Sequence, residues 1–495
     1  MEIFTYLALV ITPAIIAAGL FFSKRFIRAN IPTIGVWLTF VGLLLVGWKA
    51  ATTQIFPIIG GGFRIEALGL MLSVFILFVA GIVHLFSVRY MAGDRKFKVF
   101  FTKLGLLTSS LLLMIGADHL ILMLVFWTSS NLLLASLMIH KDAWSASRNS
   151  GLFMFKLSAL GSGSIALAIF ILFQAFGTFS LHEILENQSL ITYPLKWVVL
   201  LLLILAALIQ SGCWPFHKWL LSSLNSPTPV SGLMHAGLVN GGGFLLTRFA
   251  PLFSEAHTTL DLLFFLGLIS VVLGTGWKLV QSNIKGMLAC STMAQMGFML
   301  MQCGLGLFSA AIAHLFWHGL FKCYLFLNSG SAITEKRELD SKKSRLKYLA
   351  AVLAGLPGAS GFALMISFSL QNWTTQTVLV AFSWLASAQI AYSILGKSSS
   401  WVRMLIGSIG SFVFGMIYGG AVYLIKFIVS PLAIDVVMPL HPIHLIGVGI
   451  VMLISIGVNL NLFSLLSSRR LYTEMLNLSQ SHPKTMTLIR SEYKY

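Results

Sequence analysis

Apolar stretches of about 20 residues follow one another along nearly the whole chain, separated by short polar or basic turns. A helix rises 1.5 Å per residue, so about 20 apolar residues cross the hydrocarbon core of a bilayer. The pattern predicts about fifteen crossings, near 3–22, 32–50, 66–88, 101–117, 119–139, 151–176, 193–224, 228–248, 258–279, 287–303, 307–331, 347–371, 374–395, 402–425 and 440–464. In hydrocarbon every backbone amide and carbonyl needs a protein partner, and helices supply it within each span. The expected fold is an all-α polytopic membrane protein. Met1-Glu2-Ile3 has no basic residues ahead of its apolar run, so the first span reads as a membrane anchor and not as a cleaved leader.

Composition sharpens this picture. Of 495 residues, 57% are hydrophobic and 10% charged, with a mean hydropathy of +0.89. Soluble domains carry about 25% charged residues, so disorder, collagen-like repeats, coiled coils and ordinary soluble enzymes are excluded. The net charge of +18 is a topology signal before anything else, because cytoplasmic loops of membrane proteins collect Lys and Arg. With the N-terminus on the periplasmic side, the cytoplasmic segments hold Lys24, Arg25, Arg28, Arg89, Arg95, Lys96, Lys98, Lys141, Arg148, Lys278, Lys285, the run from Lys336 to Lys347, and Arg469-Arg470. About 26 of the 33 basic residues then fall inside, and the outer loop around His182, Glu183 and Glu186 has none. An odd number of spans leaves the C-terminus cytoplasmic. The expected location is a cell inner membrane. Membrane lipid is the expected environment, and no nucleic-acid motif competes for the charge. Cys213, Cys290, Cys303 and Cys323 lie in apolar stretches without a CxxC pair and read as core residues.

Two spans contain helix breakers. The seventh is too long for one crossing and carries Pro215 in Cys213-Trp214-Pro215-Phe216; the twelfth carries Pro357 in Leu356-Pro357-Gly358-Ala359-Ser360-Gly361. Each is the fourth helix of a block of five, and consecutive odd-numbered blocks face opposite ways across the membrane. Interrupted helices in matching places of inverted repeats point to an ion pathway near mid-membrane; the plainer alternative is two proline kinks. The predicted division is 1–100 for the first three spans, 101–248 for a block broken at Pro215, 258–395 for an inverted block broken at Pro357, 396–465 for the last two spans, and 466–495 for a cytoplasmic tail.

The sharpest candidate chemistry lies in the eleventh span. His314, His318 and Lys322 are spaced i, i+4, i+8 and so share one helix face. A lysine at mid-bilayer is costly and usually marks an ion or proton path. Imidazoles titrate near neutrality, so the row could pass protons through water. The alternative is a lysine reaching the interface and two histidines bonded to backbone. His235 in the eighth span is either a relay member or a core histidine. His217 and Lys218 follow the Pro215 break, where a cytoplasmic entrance would lie. Lys156, Asp118 and Glu66 sit nearer span ends and are weaker candidates. Two histidines without a clear third ligand make a metal site unexpected. No Walker loop, dinucleotide fingerprint or iron–sulfur cysteine set is present, so no cofactor and no catalytic site of its own is expected.

Several motifs are familiar. Trp214-Pro215-Phe216-His217-Lys218-Trp219-Leu220, Ser226-Pro227-Thr228-Pro229-Val230-Ser231, Met234-His235-Ala236, Asn283-Ile284-Lys285, Ser291-Thr292-Met293-Ala294-Gln295-Met296-Gly297 and the His314/His318/Lys322 row resemble the antiporter-like subunits of respiratory complex I and Mrp antiporters, over about residues 60–400. The resemblance implies a proton path along the membrane centre through the matching lysine and histidines. The departures are specific: Thr128 stands where the family usually has a glutamate, Gln210 where it has a lysine, Ala159 near an expected aspartate, and Ala363-Leu364 where a Lys-Asp pair is usual. The sequence also ends soon after the fifteenth span, without the lateral helix of the complex I subunit. Ser222-Ser223-Leu224-Asn225-Ser226-Pro227-Thr228-Pro229-Val230-Ser231 with His235-Ala236-Gly237-Leu238-Val239-Asn240-Gly241-Gly242 resembles one branch, the DabB family of membrane subunits of the DAB inorganic carbon transporter. That resemblance implies a proton- or cation-conducting subunit of an inorganic carbon (CO2/bicarbonate) pump. It also implies a large soluble zinc-binding, carbonic-anhydrase-like partner, DabA, on the cytoplasmic side. The alternative is a complex I or Mrp-type antiporter subunit.

Overall fold

The hydropathy pattern resolves into a helical bundle in a computed structural model that describes residues 2–22, 30–53, 57–330, 345–368, 373–396, 400–460 and 469–486. Lys24, Arg25, Arg28 and the 336–344 part of the basic run used to orient the chain lie outside the described residues. The helices are α1 (Glu2–Phe22), α2 (Asn30–Thr53), α3 (Ala67–Tyr90), α4 (Phe97–Gly116), α5 (Leu120–Met138), α6 (Ser145–Phe176), α7 (Leu181–Glu186), α8 (Tyr193–Gln210), α9 (Lys218–Ser222), α10 (Thr228–Ala236), α11 (Gly241–Arg248), α12 (His257–Val280), α13 (Ile284–Gly304), α14 (Phe308–Leu327), α15 (Arg345–Ala354), α16 (Leu356–Met365), α17 (Thr375–Leu395), α18 (Trp401–Val429), α19 (Pro442–Asn459) and α20 (Arg469–Leu478). Among the described residues, 13 helices are long and apolar enough to cross a membrane. The α10–α11 pair and α13 occupy the two other predicted places. The protein is a multi-pass membrane protein of all-α class.

Among the described residues the one piece of sheet is a hairpin between α2 and α3, β1 (Ile58–Gly60) with β2 (Phe63–Ile65), paired antiparallel. Its two-residue turn has positive φ at Gly61 (58°) and Gly62 (82°), a conformation for which glycine is suited. The carbonyl of Gly62 accepts from the amides of Asp118 and His119, so the hairpin closes over the α4–α5 turn.

Close helix contact depends on missing side chains. A Cβ on Gly267 of α12 would lie 2.6 Å from the Gly297 carbonyl of α13, and one on Gly274 would lie 2.7 Å from the Ala294 amide. Without a hydrophobic drive between helices in lipid, such small-residue seams supply the dispersion contact that holds a bundle together. Gly358 and Gly361 on α16 face Ser411, Phe412 and Met416 of α18 in the same manner.

The two predicted breaks differ in depth. In the seventh span, α8 stops at Gln210 and helix resumes only at Lys218, with Gly212 at φ 60° and a cis Trp214–Pro215 bond between. In the twelfth span only Gly355 separates α15 from α16, and Pro357 lies in the first turn of α16, where a missing amide costs little. Pro357 therefore marks a kink and not an extended gap. A third interruption, not anticipated, divides the eighth span between Ala236 and Gly241 through a 3₁₀ turn at Leu238–Asn240.

A Gly267→Leu substitution drives a side chain into the α13 backbone, at a cost of about 1–3 kcal/mol or more. The expected result is a lower melting temperature and loss of the monodisperse peak in detergent chromatography. Gly163→Ala, where a Cβ meets nothing within 4 Å, is expected to leave both unchanged.

Candidate functional site

The start of α14 is fixed from outside its own span. Gly306 has φ 71°, and its carbonyl accepts a backbone hydrogen bond from the Val436 amide at 2.8 Å. Asp435 then caps the helix: its carboxylate accepts from the Ser309 amide at 2.8 Å and from the Ser309 hydroxyl at 2.7 Å. A carboxylate at a helix N-terminus is also favoured by the helix dipole. Burial pushes the Asp435 carboxyl above the ordinary carboxylate range, with the Ser309 hydrogen bonds pulling the other way.

From this fixed start, the i, i+4, i+8 spacing carries His314, His318 and Lys322 down one buried face. Lys322 is 1% exposed, which excludes a side chain reaching for the interface. Its ammonium donates to the Leu288 carbonyl of α13 at 3.1 Å. No carboxylate pairs with it among the described residues, so its charge has no nearby counter-charge. The rings of His314 and His318 lie 5.8 Å apart and nearly parallel, at 19°. His235, fully buried in α10, stacks on Phe326 of α14 at 4.0 Å. The Nε2 atoms of His314 and His318 and both ring nitrogens of His235 have no hydrogen-bond partner among the described residues. Buried polar atoms left unpaired are costly and often signal function. Here they line up beside the one buried, unpaired cation on α14.

The deep break lies beside this row, and its backbone is answered by side chains. Gln210 Nε2 donates to the Leu238 carbonyl and Ser211 Oγ to the Val239 carbonyl, each at 3.0 Å. The donors come from the break in the seventh span and the acceptors from the break in the eighth. Trp219 Nε1 reaches back across the gap to the Ile209 carbonyl at 2.8 Å. A small cavity of about 30 Å³, bordered by Ser130, Gln210, Asn240, Trp127 and Leu315, adjoins the meeting point. That volume suits about one water molecule.

The other candidates are dispersed. His217 is buried against Trp277, ring centroids 4.5 Å apart, with Nε2 3.4 Å from the Leu478 carbonyl; Lys218 beside it is half-buried. Lys156 is exposed on the surface of α6, away from the row. Asp118 is a loop anchor: it accepts from Ser180 Oγ at 2.6 Å and from the His182 amide at 3.1 Å. Thr128 donates to Ser162 Oγ at 3.1 Å. Glu66 faces Arg64 at 3.2 Å and Arg248 at 3.4 Å, and all three border an outer cavity of about 600 Å³.

Three features were not read from the sequence. One is the Asp435 cap, separated from Ser309 by 126 residues. Another is the docking of the segment after α20: Gln281 donates to Ser479, Asn225 to the Thr485 carbonyl, and Ser222 bonds Thr485. The third is a meeting of Asp261, His441 and His444. Only the last had a local signal, the His441-Pro-Ile-His444 spacing.

Residues 117–413 match the family described as NADH:quinone oxidoreductase/Mrp antiporter, TM, and residues 59–101 match the complex I chain 5 N-terminus. A "Probable inorganic carbon transporter subunit DabB" of Bacillus subtilis is 38% identical over 67% of this chain and 64% of its own length. A "Probable inorganic carbon transporter subunit DabB1" of Halothiobacillus neapolitanus is 38% identical over 57% of this chain and 51% of its own. The chain thus spans between half and two thirds of the length of these curated relatives. A chain of the Mrp complex from Dietzia sp. shares the fold at a TM-score of 0.61 and 19% identity, covering 97% of this chain and 52% of that one.

Asp435→Ala removes both caps on Ser309, and the loss of such bonds costs about 1–3 kcal/mol. A lower melting temperature of the purified protein is expected, with Asp435→Asn intermediate, since an amide oxygen can still accept one of the two bonds.

Proposed function

The chain belongs to the NADH:quinone oxidoreductase/Mrp antiporter transmembrane family, and from that premise we propose that it is the proton-conducting membrane subunit of an inorganic carbon pump. The observation that carries this reading is the retained central row without the usual flanking charges. Among the described residues Lys322 is buried with no carboxylate partner, beside three histidines with unsatisfied nitrogens, while Thr128 and Gln210 stand where family charges are usual. An ordinary pumping subunit would need those charges to load and empty its half-channels. The similarity to two proteins named as inorganic carbon transporter subunits supports the same choice.

In this proposal Lys322 is the central proton acceptor. His318, His314 and His235 pass the proton on through intervening water, and neutral imidazole serves as both donor and acceptor. His217 and Lys218, beside the deep break, form the cytoplasmic mouth. Lys156 and Asp118 take no part in the row. The inward proton flow biases CO2 hydration to bicarbonate in a soluble zinc-binding subunit, docked on the cytoplasmic face; this chain contributes no catalytic group. We take 101–248 and 258–395 as inverted repeats in an inner membrane, with the N-terminus periplasmic and the C-terminus cytoplasmic.

The match to the antiporter family and the Mrp fold favours a second reading, a cation/proton antiporter or complex I-type subunit. Mild-detergent purification separates the two. A large zinc protein as the main companion supports the pump; quinone-reducing or Mrp subunits support the alternative.

Lys322→Ala is expected to cut carbon uptake at least tenfold while the complex still assembles. Normal uptake by an assembled Lys322→Ala complex would refute the lysine's role. The orientation has its own test, helped by the burial of all four native cysteines. Glu186→Cys should react with an impermeant maleimide in intact cells, and Asp142→Cys only after permeabilisation. The reverse pattern inverts the topology.

A further inference from the structure

We propose that Asp261, His441 and His444 form a binding site for a divalent transition-metal ion, Zn2+ foremost, which fastens the fifteenth span to the ninth. The three residues arrive from two elements. Asp261 lies in the second turn of α12, one turn after His257. His441 is the N-cap of α19 and His444 lies three residues on, so both imidazoles face the same side at the helix start.

One donor atom from each residue lies within 4.8 Å of the other two. Asp261 Oδ2 is 2.8 Å from His441 Nδ1, and Asp261 Oδ1 is 3.1 Å from His444 Nε2. The second contact lacks hydrogen-bond geometry: both atoms are buried, and neither has a hydrogen-bond partner among the described residues. His444 is fully buried, packed edge-on to Phe264 at 5.0 Å, so water does not reach its ring freely. The two rings are parallel within 5° at 5.5 Å. An unpartnered imidazole nitrogen therefore lies 3.1 Å from an unpartnered carboxylate oxygen beside an apolar wall. A cation held between them would satisfy both atoms.

The dimensions suit zinc. Ligand bonds of about 2.0–2.1 Å in a tetrahedron separate neighbouring donor atoms by roughly 3.3–3.4 Å. The 2.8 and 3.1 Å contacts, made by the two carboxylate oxygens, need to open by a few tenths of an ångström, and donors that lie within 4.8 Å of one another need to gather around the ion. Two imidazoles and one carboxylate suit zinc and its late first-row neighbours over magnesium or calcium, which take oxygen ligands. Three protein ligands leave one position open, and the partly exposed side chains of Asp261 and His441 (25% and 34%) give it a route to solvent. Ligation disturbs the reciprocal cap of α19, in which the His441 side chain accepts from the His444 amide and His444 Nδ1 accepts from the His441 amide at 3.2 Å. With metal on Nε2 the ring proton moves to Nδ1, so that long bond is given up and the amide, at a half-exposed helix start, turns to water.

The test uses the full chain in detergent, stripped with chelator and titrated with Co2+ and then Zn2+. One equivalent of Co2+ should give the visible absorption of a four-coordinate nitrogen/oxygen site, and Zn2+ should bleach it. Zn2+ should also raise the melting temperature of the wild type. Asp261→Asn and His441→Ala should weaken binding at least tenfold and abolish the zinc-dependent rise. The half-exposed His441 keeps the test informative if a variant of buried His444 fails to fold. Absence of the Co2+ spectrum in the wild type, or equal affinity in the variants, overturns the proposal.

Discussion

A helix in lipid can be interrupted only where each amide and carbonyl it releases finds a partner inside the protein. The seventh and eighth spans meet that condition by answering each other. Gln210 and Ser211 donate across to Leu238 and Val239, and the Gly241–Gly243 run lets the two breaks approach closely enough to do so. A side chain on Gly242 would fall on the Ala207 carbonyl at 2.6 Å. The rest of the central architecture follows from this pairing. It brings α10 and its His235 against α14, and it leaves a pocket about one water wide beside the interrupted backbone.

The same pairing clarifies what the substitution at Gln210 does. A lysine there would bring a charge to the crossing of the two breaks. The amide instead donates one neutral bond, and Thr128 likewise spends its hydroxyl on Ser162. Lys322 keeps the charge on the central row. Among the described residues its direct hydrogen-bond partner is a carbonyl, a contact that lowers the cost of burial without holding the proton as a carboxylate would.

Much of this was legible in the sequence because the governing signals are local. Each of the about fifteen predicted apolar runs is occupied by helix, three of them interrupted, and a spacing of four residues placed a buried row on α14. The depth of the breaks was less legible. Pro215 and Pro357 look alike in sequence, but Pro357 falls in the first turn of a resumed helix, where its missing amide is not needed, while Pro215 follows Gly212 at positive φ. The interruption at Leu238–Asn240 contains no proline; its signal was the glycine run beside it. Lys156 and Asp118 were read as weaker candidates near span ends, and the structure places them on the exposed surface of α6 and in a loop hydrogen-bond network. Partners far apart in the chain were beyond reach: Asp261 and His441 are separated by 180 residues, and no periodicity connects them.

The docked segment after α20 has a consequence for how the protein is made. His217 and Leu478 are 261 residues apart, and Ser222 and Thr485 are 263 apart. The end of the bundle at the deep break is therefore synthesised early and covered late. While eight further spans are being inserted, Ser222 and Asn225 face the surroundings without the chain segment that later satisfies them. Closure of that end is a post-insertional event, and a nascent bundle and a finished one present different surfaces to chaperones and assembly partners.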